Sequence, residues 1–359
     1  MLIDANGIKN LNTVWPMPAQ KKKIVIIGAG GIVKDAHLPA YKKAGYEVWG
    51  IFDPLVEKAI KCATDFNINK VYDNIKEALA EKDVVFDIAV PPSVLLSVVE
   101  KLQKHSICQF QKPLGNNLEE SDKILKIVEN NSITACVNLQ LKFSPMMLAL
   151  KDAIEKNMIG TITDLEVNLS VSTPWHLWPF MEDLAHVEVP LHSIHYLDWI
   201  LSVLGKPKGV FCKSVGHPLF PKMKDSRSSI ILDYDNVRCC LSLNHTHDTR
   251  RQGTKYSHAY ARVEGLNGAA FVKLGLLLDY PIGEPEEIEI TSGTINWTKV
   301  KNVGSWFPDA FLHSMSSLQR FASGEDKVLP HSVSNSFITM SVVNACIESS
   351  RSSGAIIQS

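Results

Sequence analysis

The stretch Lys23–Val33, KIVIIGAGGIV, decides how the chain is read. Ile24–Ile27 is an unbroken aliphatic run, the pattern of a strand buried on both faces of a parallel sheet. Gly28-Ala29-Gly30-Gly31 then turns the chain, and Ile32, Leu38 and Tyr41 mark one face of a following helix. Gly28 ends the strand, and Gly30 lets the backbone approach a pyrophosphate at the helix start. The third fingerprint position holds Val33 instead of Gly or Ala, so the motif is incomplete. Asp53 ends the next apolar run, Glu47–Asp53 (EVWGIFD). A carboxylate there accepts hydrogen bonds from adenosine ribose hydroxyls and repels a 2′-phosphate. Pro54 and Leu55 follow it, not Arg or Lys, so NAD is expected over NADP. The expected cofactor-binding set begins with Gly28, Gly30, Gly31, Ile32 and Asp53.

Outward from this unit, Val84–Val90 (VVFDIAV) reads as a strand halted by Pro91-Pro92. Further strands are expected at Ile107–Gln111 and Ile133–Leu139, with helices over Val94–Gln103 and Leu118–Glu129. Such alternation predicts an α/β fold whose first part is a doubly wound parallel sheet of Rossmann type. Beyond about residue 140 the rhythm changes. A helix over Pro145–Asn157 precedes alternating runs at Ile162–Ser172, Gly209–Gly216, Ser228–Tyr234, Val237–Asn244, His258–Glu264, Gly268–Leu274 and Glu287–Thr291. Turn signals at Asp235-Asn236 and Asn267-Gly268 favour a large, mostly antiparallel open sheet. A helix over Pro190–Leu204 interrupts it, and two helices close the chain. The expected organisation is an arm over 1–21, a dinucleotide-binding domain over 22–140, and a substrate and oligomerisation domain over 141–359.

The charge balance argues against several classes. Thirty-seven Lys and Arg face 38 Asp and Glu in 359 residues. A strongly basic nucleic-acid or membrane-surface binder is therefore not expected. No run of 18 apolar residues occurs, and the N-terminus has no charged and then apolar leader pattern. The seven cysteines contain no CxxC pair, which fits a reduced cytoplasmic enzyme better than a disulfide scaffold or zinc module.

With Asp53, Pro91-Pro92, Gln111-Lys112-Pro113 and His195-Tyr196-Leu197-Asp198 in order, the chain resembles the Gfo/Idh/MocA oxidoreductases, the family of glucose–fructose oxidoreductase and inositol dehydrogenase. The resemblance runs from about Lys22 to the C-terminal helix. It implies a Rossmann domain followed by an α/β domain whose open sheet forms homodimers or homotetramers. It also implies cofactor contacts at Pro91, Gln111 and Lys112, and a substrate-binding or proton-handling role for Lys112. The family usually carries Glu where this chain has Gln111. Loss of that carboxylate lowers the proton affinity expected of the lysine.

The family's second catalytic element is an Asp and a His four residues apart on a helix. Here His195 and Asp198 match, but the aspartate position holds Leu191. His192 and His195 share a helix face, and His192 is a candidate replacement contact. His195 is expected either as the base that takes a hydroxyl proton or as the donor that orients the hydroxyl beside Lys112.

Gln140, with Asn138 and Lys142, is expected on the sugar side, as are His245, His247 and Arg250. Trp175, in the cluster Trp175–Phe180, is a candidate platform for a sugar ring, and Phe180 a packing residue. His186, His192 and His195, with Glu188 nearby, are metal-ligand candidates by residue type. Without an HExxH pattern no metal is expected. The expected activity is hydride transfer between NAD and a hydroxyl or carbonyl of a sugar, polyol, cyclitol or glycoside. Two alternatives stand beside it: tightly bound, internally recycled NAD assisting elimination or glycosidic cleavage without net redox, and a non-catalytic NAD-binding sensor. The segment Asn12–Pro18 reads as a tethered arm or as a cover for a neighbouring subunit.

Overall fold

The computed structural model describes residues 4–177, 181, 184, 186–247, 256–275, 284–301, 304–352 and 354. Phe180 and Arg250 lie outside the described residues. The chain forms two compact units.

The first comprises residues 14–144 and 306–340. Its strands are β1 (Lys23–Ile27), β2 (Val48–Phe52), β3 (Lys70–Val71), β4 (Val84–Ile88), β5 (Ile107–Phe110) and β6 (Thr134–Val137). They lie in the order β3-β2-β1-β4-β5-β6, and every pairing is parallel. This is the doubly wound dinucleotide-binding order, whose ligand crevice opens where the strand order reverses, at the carboxyl ends of β1 and β4. The Gly28 turn leaves β1 at that point. The sequence pattern did not reveal β3, because two residues are too short to show a period. Ile24, Ile26, Ile51 and Val85 pack with Tyr41, Phe311, Met315 and Leu318 in one buried cluster.

The second unit comprises residues 1–13, 145–305 and 341–359, described within the limits above. It holds β7 (Ile162–Ser170), β8 (Gly209–Val215), β9 (Arg227–Asp233), β10 (Arg238–Asn244), β11 (His258–Gly265), β12 (Gly268–Lys273), β13 (Glu287–Ser292) and β14 (Ile295–Lys299). The sheet runs β14-β13-β12-β11-β7-β10-β9-β8. Among the described residues only β7 and β10 pair in parallel, so the sheet is mostly antiparallel. In β9, Ser228, Ile230 and Leu232 are buried while Ile231 and Asp233 face outward, the alternation a one-sided sheet requires.

The unit boundaries cross the linear division expected at residue 140. The helix Phe311–Ala322 returns to the parallel sheet, where Ser314 Oγ donates to Gln109 Oε1 at 3.0 Å. Val137 N–H donates to His331 O at 2.9 Å, and Gln319 Oε1 accepts from Lys22 N–H. The N-terminal arm divides as well. The short helix Ala5–Lys9 sits with the second unit, where Lys301 N–H donates to Lys9 O. Trp15 stacks edge-on against Phe143 at 5.1 Å in the first unit, and Ser316 Oγ donates to Pro16 O. Tertiary packing brings these distant segments home, and no local pattern announces it. Along Asn12–Pro18 the arm is tethered to its own chain.

Candidate functional site

In the parallel-sheet unit, the glycines of the first turn have different reasons for being glycine. Gly28 has φ +109°, and a Cβ there would lie 2.4 Å from Ala89 O. Backbone geometry alone requires it. A Cβ on Gly30 would meet nothing within 4 Å. The fold therefore leaves open space at Gly30, the space a pyrophosphate needs. Helical structure follows from Gly31, with a wide π turn over Val33–His37 before the helix Leu38–Ala44. That π turn carries the valine at the third fingerprint position. Asp53 holds the loop directly: its carboxylate accepts from Ala29 N–H and Leu55 N–H, both at 2.8 Å. Each carboxylate oxygen keeps acceptor capacity for ribose hydroxyls. Pro91 is the residue before the helix Pro92–Val99, which starts beyond β4. The residues present thus fit a bound dinucleotide.

Beneath the Gln111-Lys112-Pro113 segment lies a buried polar network. His37 Nδ1 is 2.6 Å from Asp87 Oδ2, with both side chains wholly buried. Tyr41 OH donates to the same carboxylate oxygen at 2.8 Å. Burial first, and then the Asp87 charge, push the Tyr41 phenol well above its ordinary pKa. With Nδ1 given to Asp87, His37 Nε2 is left as an acceptor, and two amides converge on it: Gln111 Nε2 and Asn138 Nδ2, each at 3.4 Å. Gln111 Oε1 accepts from Lys112 N–H at 3.0 Å. Burial pushes the Lys112 ammonium down to about 8. Desolvation is the cause of that lowering.

Gln140 is buried in the short turn Gln140–Phe143 after β6. Lys142 Nζ donates to Pro330 O at 3.1 Å, and Asn138 is committed to His37.

In the second unit, a π turn over Glu188–Ser193 leads into the helix Ile194–Leu204. Asp225 anchors the start of that turn. Its Oδ1 accepts from Val187 N–H at 2.5 Å and Glu188 N–H at 3.0 Å, and its Oδ2 is 3.0 Å from His186 Nδ1. His195 lies buried on the helix. Leu191 packs with Trp175, Met181, Val187 and Met223 in an apolar cluster. That surrounding explains why an aspartate is absent there: its carboxylate would be buried among hydrocarbon. Trp175 is only 5% exposed and stands 5.6 Å from the His192 ring. Its ring is largely covered by its own chain.

The histidines also group differently from their sequence spacing. His186 belongs with Asp225, whereas His192 stacks on His245 with ring centroids 4.1 Å apart. Glu188, wholly buried, reaches both: its Oε2 is 2.5 Å from His245 Nδ1 and 3.9 Å from His192 Nδ1. Sequence reasoning missed the roles of His37, Asp87 and Asp225. For Asp87 a signal existed, a charge inside the otherwise apolar strand VVFDIAV. For His37 and Asp225 no local pattern exists.

Comparison with known proteins agrees with this geometry. Residues 22–139 match the oxidoreductase family with an NAD-binding Rossmann fold, Gfo/Idh/MocA. An uncharacterised protein of Saccharomyces cerevisiae is 28% identical over 201 residues, 50% of this chain and 55% of that protein. The chain's match thus spans about half the length of that relative. An oxidoreductase from Agrobacterium radiobacter, solved with NAD+, L-tartaric acid and magnesium, superposes with a TM-score of 0.77 at 18% identity, covering 92% of this chain and 97% of the other. A levoglucosan dehydrogenase, solved with NADH and levoglucosan, gives 0.75 at 16% identity, over 92% and 98%. Residues 22–139 thus carry the match to the Gfo/Idh/MocA oxidoreductase family with its NAD-binding Rossmann fold, and nearly the whole chain shares its fold with solved oxidoreductases.

Proposed function

We propose that the chain is an NAD-dependent dehydrogenase acting on a CH–OH group of a sugar, polyol, cyclitol or glycoside. The observation that carries this reading is Lys112, half-buried beyond the β5 end of a dinucleotide-binding sheet, with its pKa pushed down to about 8. A lysine built only as a fixed cation gains nothing from desolvation, whereas a proton acceptor works best with a pKa near the operating pH. Bound NAD supplies nicotinamide C4 as hydride acceptor. Gly28, Gly30, Gly31 and Ile32 form the turn that receives the pyrophosphate, and Asp53 takes the ribose hydroxyls. A 2′-phosphate would meet the Asp53 charge, which favours NAD over NADP.

Lys112 Nζ, as the free amine, takes the hydroxyl proton as the carbon gives up hydride. His195, in the second unit, is proposed separately as a hydrogen-bonding group for a substrate hydroxyl. Gln140 in the first unit and His192 in the second are each proposed as polar contacts for a polyhydroxylated substrate. The levoglucosan dehydrogenase similarity supports the carbohydrate class.

A second copy of the chain is proposed as partner through the outer face of the large sheet. Phe211, Ile231, Cys240, Glu166, Arg262 and Phe271 stand side by side in register there. Phe211 is 65% and Ile231 53% exposed, a costly arrangement unless the face is covered.

Thermal shift with NAD(H) and NADP(H), followed by a screen of NADH formation over sugars, inositols, uronates and aryl glycosides, tests the reading. Stabilisation by NAD(H) and turnover of a polyhydroxylated substrate are expected. No shift with either nucleotide overturns the cofactor assignment. Light scattering of the purified protein reads the oligomer.

A further inference from the structure

We propose that Glu188, His192 and His245 form a binding site for one divalent transition-metal cation, with zinc as the best chemical fit. This reverses the expectation of no metal drawn from the missing HExxH pattern. The site lies entirely within the second unit and does not depend on the dehydrogenase reading.

One donor atom from each of the three side chains lies within 4.8 Å of the others. The donor set is two imidazoles and one carboxylate, a combination that holds catalytic zinc. Two nitrogen ligands favour zinc, cobalt or iron over magnesium or calcium, which prefer all-oxygen shells. The carboxylate of Glu188 is wholly buried, and both its ion pairs are with histidines. Such a burial is costly without a cation at hand.

The site is also held in place. Asp225 accepts the backbone N–H of Glu188 at 3.0 Å, fixing the start of the π turn. Ser193 Oγ donates to Glu188 Oε1 at 3.0 Å, which leaves Oε2 toward the imidazoles. Supports of this kind orient metal ligands. The π turn over Glu188–Ser193 sets the two ligands of the helix, and His245 arrives just past the end of β10. With metal–ligand bonds of about 2.0–2.1 Å, neighbouring ligand atoms stand roughly 3.3 Å apart. The Glu188–His192 separation of 3.9 Å is close to that; the 2.5 Å contact to His245 must open as the shared proton is released. Three protein donors leave a fourth tetrahedral position for water or a substrate hydroxyl.

The test uses the full chain freed of metal by dialysis against a chelator. Zinc binding is followed by calorimetry, and Co2+ binding by visible absorption, whose intensity reports tetrahedral coordination. One site per chain with visible Co2+ bands is expected. His192→Asn and His245→Asn should each weaken zinc on the order of 100-fold, while His105→Asn, in the other unit, leaves binding unchanged. His192 is partly exposed, so its variant keeps the test sound if His245→Asn fails to fold. Absence of Co2+ bands, or zinc binding that is equal in the parent and in His192→Asn, overturns the proposal and leaves Glu188–His245 as a hydrogen-bonded pair alone.

Discussion

The Gln111 amide and the His37 imidazole meet at 3.4 Å inside the parallel-sheet unit, nitrogen to nitrogen. His37 gives its Nδ1 proton to Asp87, so its Nε2 needs a donor, and an amide supplies one where a carboxylate cannot. Where the resemblance implies a glutamate, this chain thus places a hydrogen-bond donor. Gln111→Glu should set a carboxylate oxygen against an imidazole lone pair and lower stability by about 1–3 kcal/mol. Chemical denaturation of the parent and variant measures it; equal midpoints would show that the contact carries no weight.

Lys112 yields a prediction with a definite sign in pH. If its free amine takes the substrate proton, kcat/KM for oxidation rises as pH increases through about 8. Lys112→Arg, always cationic, and Lys112→Met should each lose most turnover and lack that limb, while still binding NAD(H). The folded-state pKa lies below the ordinary value of 10.5, so the charged form disfavours folding, and this contribution to stability rises with pH from about 8 toward 10.5. Lys112→Met removes that cost, and its Tm at pH 7 should match or exceed the parent's.

Two glycines of one turn should part company on substitution. Gly28→Ala brings a methyl within 2.4 Å of Ala89 O at a left-handed φ, and the protein should be strongly destabilised or fail to fold. Gly30→Ala meets nothing in the chain, so its Tm without nucleotide should stay near the parent's. Its NAD(H) affinity should fall roughly tenfold or more, since the methyl takes the space given to pyrophosphate. Unchanged nucleotide affinity in Gly30→Ala would remove that assignment.

Placing at position 191 the aspartate that the resemblance implies should not raise activity. Leu191 packs against Trp175, Val187 and Met223, so Leu191→Asp buries a carboxylate among hydrocarbon. A stability loss of roughly 3–5 kcal/mol is expected, read by thermal unfolding, with no gain in turnover. A well-folded, faster variant would show that the aspartate position is still accessible to substrate.

Much of the fold was legible because its signals are local. Four aliphatics before Gly28, the alternation in β9 and β10, and the turns at Asp235-Asn236 and Asn267-Gly268 each act over a few residues. The strands β3 and β14 escaped notice because they are short or lack clear alternation. The candidate site was half legible. Gly28, Asp53 and Lys112 stand where a motif puts them, but an aromatic residue in a loop such as Trp175 shows nothing in sequence about what covers it.

By itself the sequence determined the order of elements, the dinucleotide turn and the two departures at Gln111 and Leu191, since periodicity and backbone sterics act between near neighbours. Only the tertiary structure decided what those departures mean. His37 and Asp87 are 50 residues apart, Glu188 and His245 are 57 apart, and the helix Phe311–Ala322 rejoins a sheet that ends at Val137. Partners so far apart meet because burial of apolar surface closes the chain upon itself. Buried polar groups must then find whatever donors and acceptors that closure places beside them.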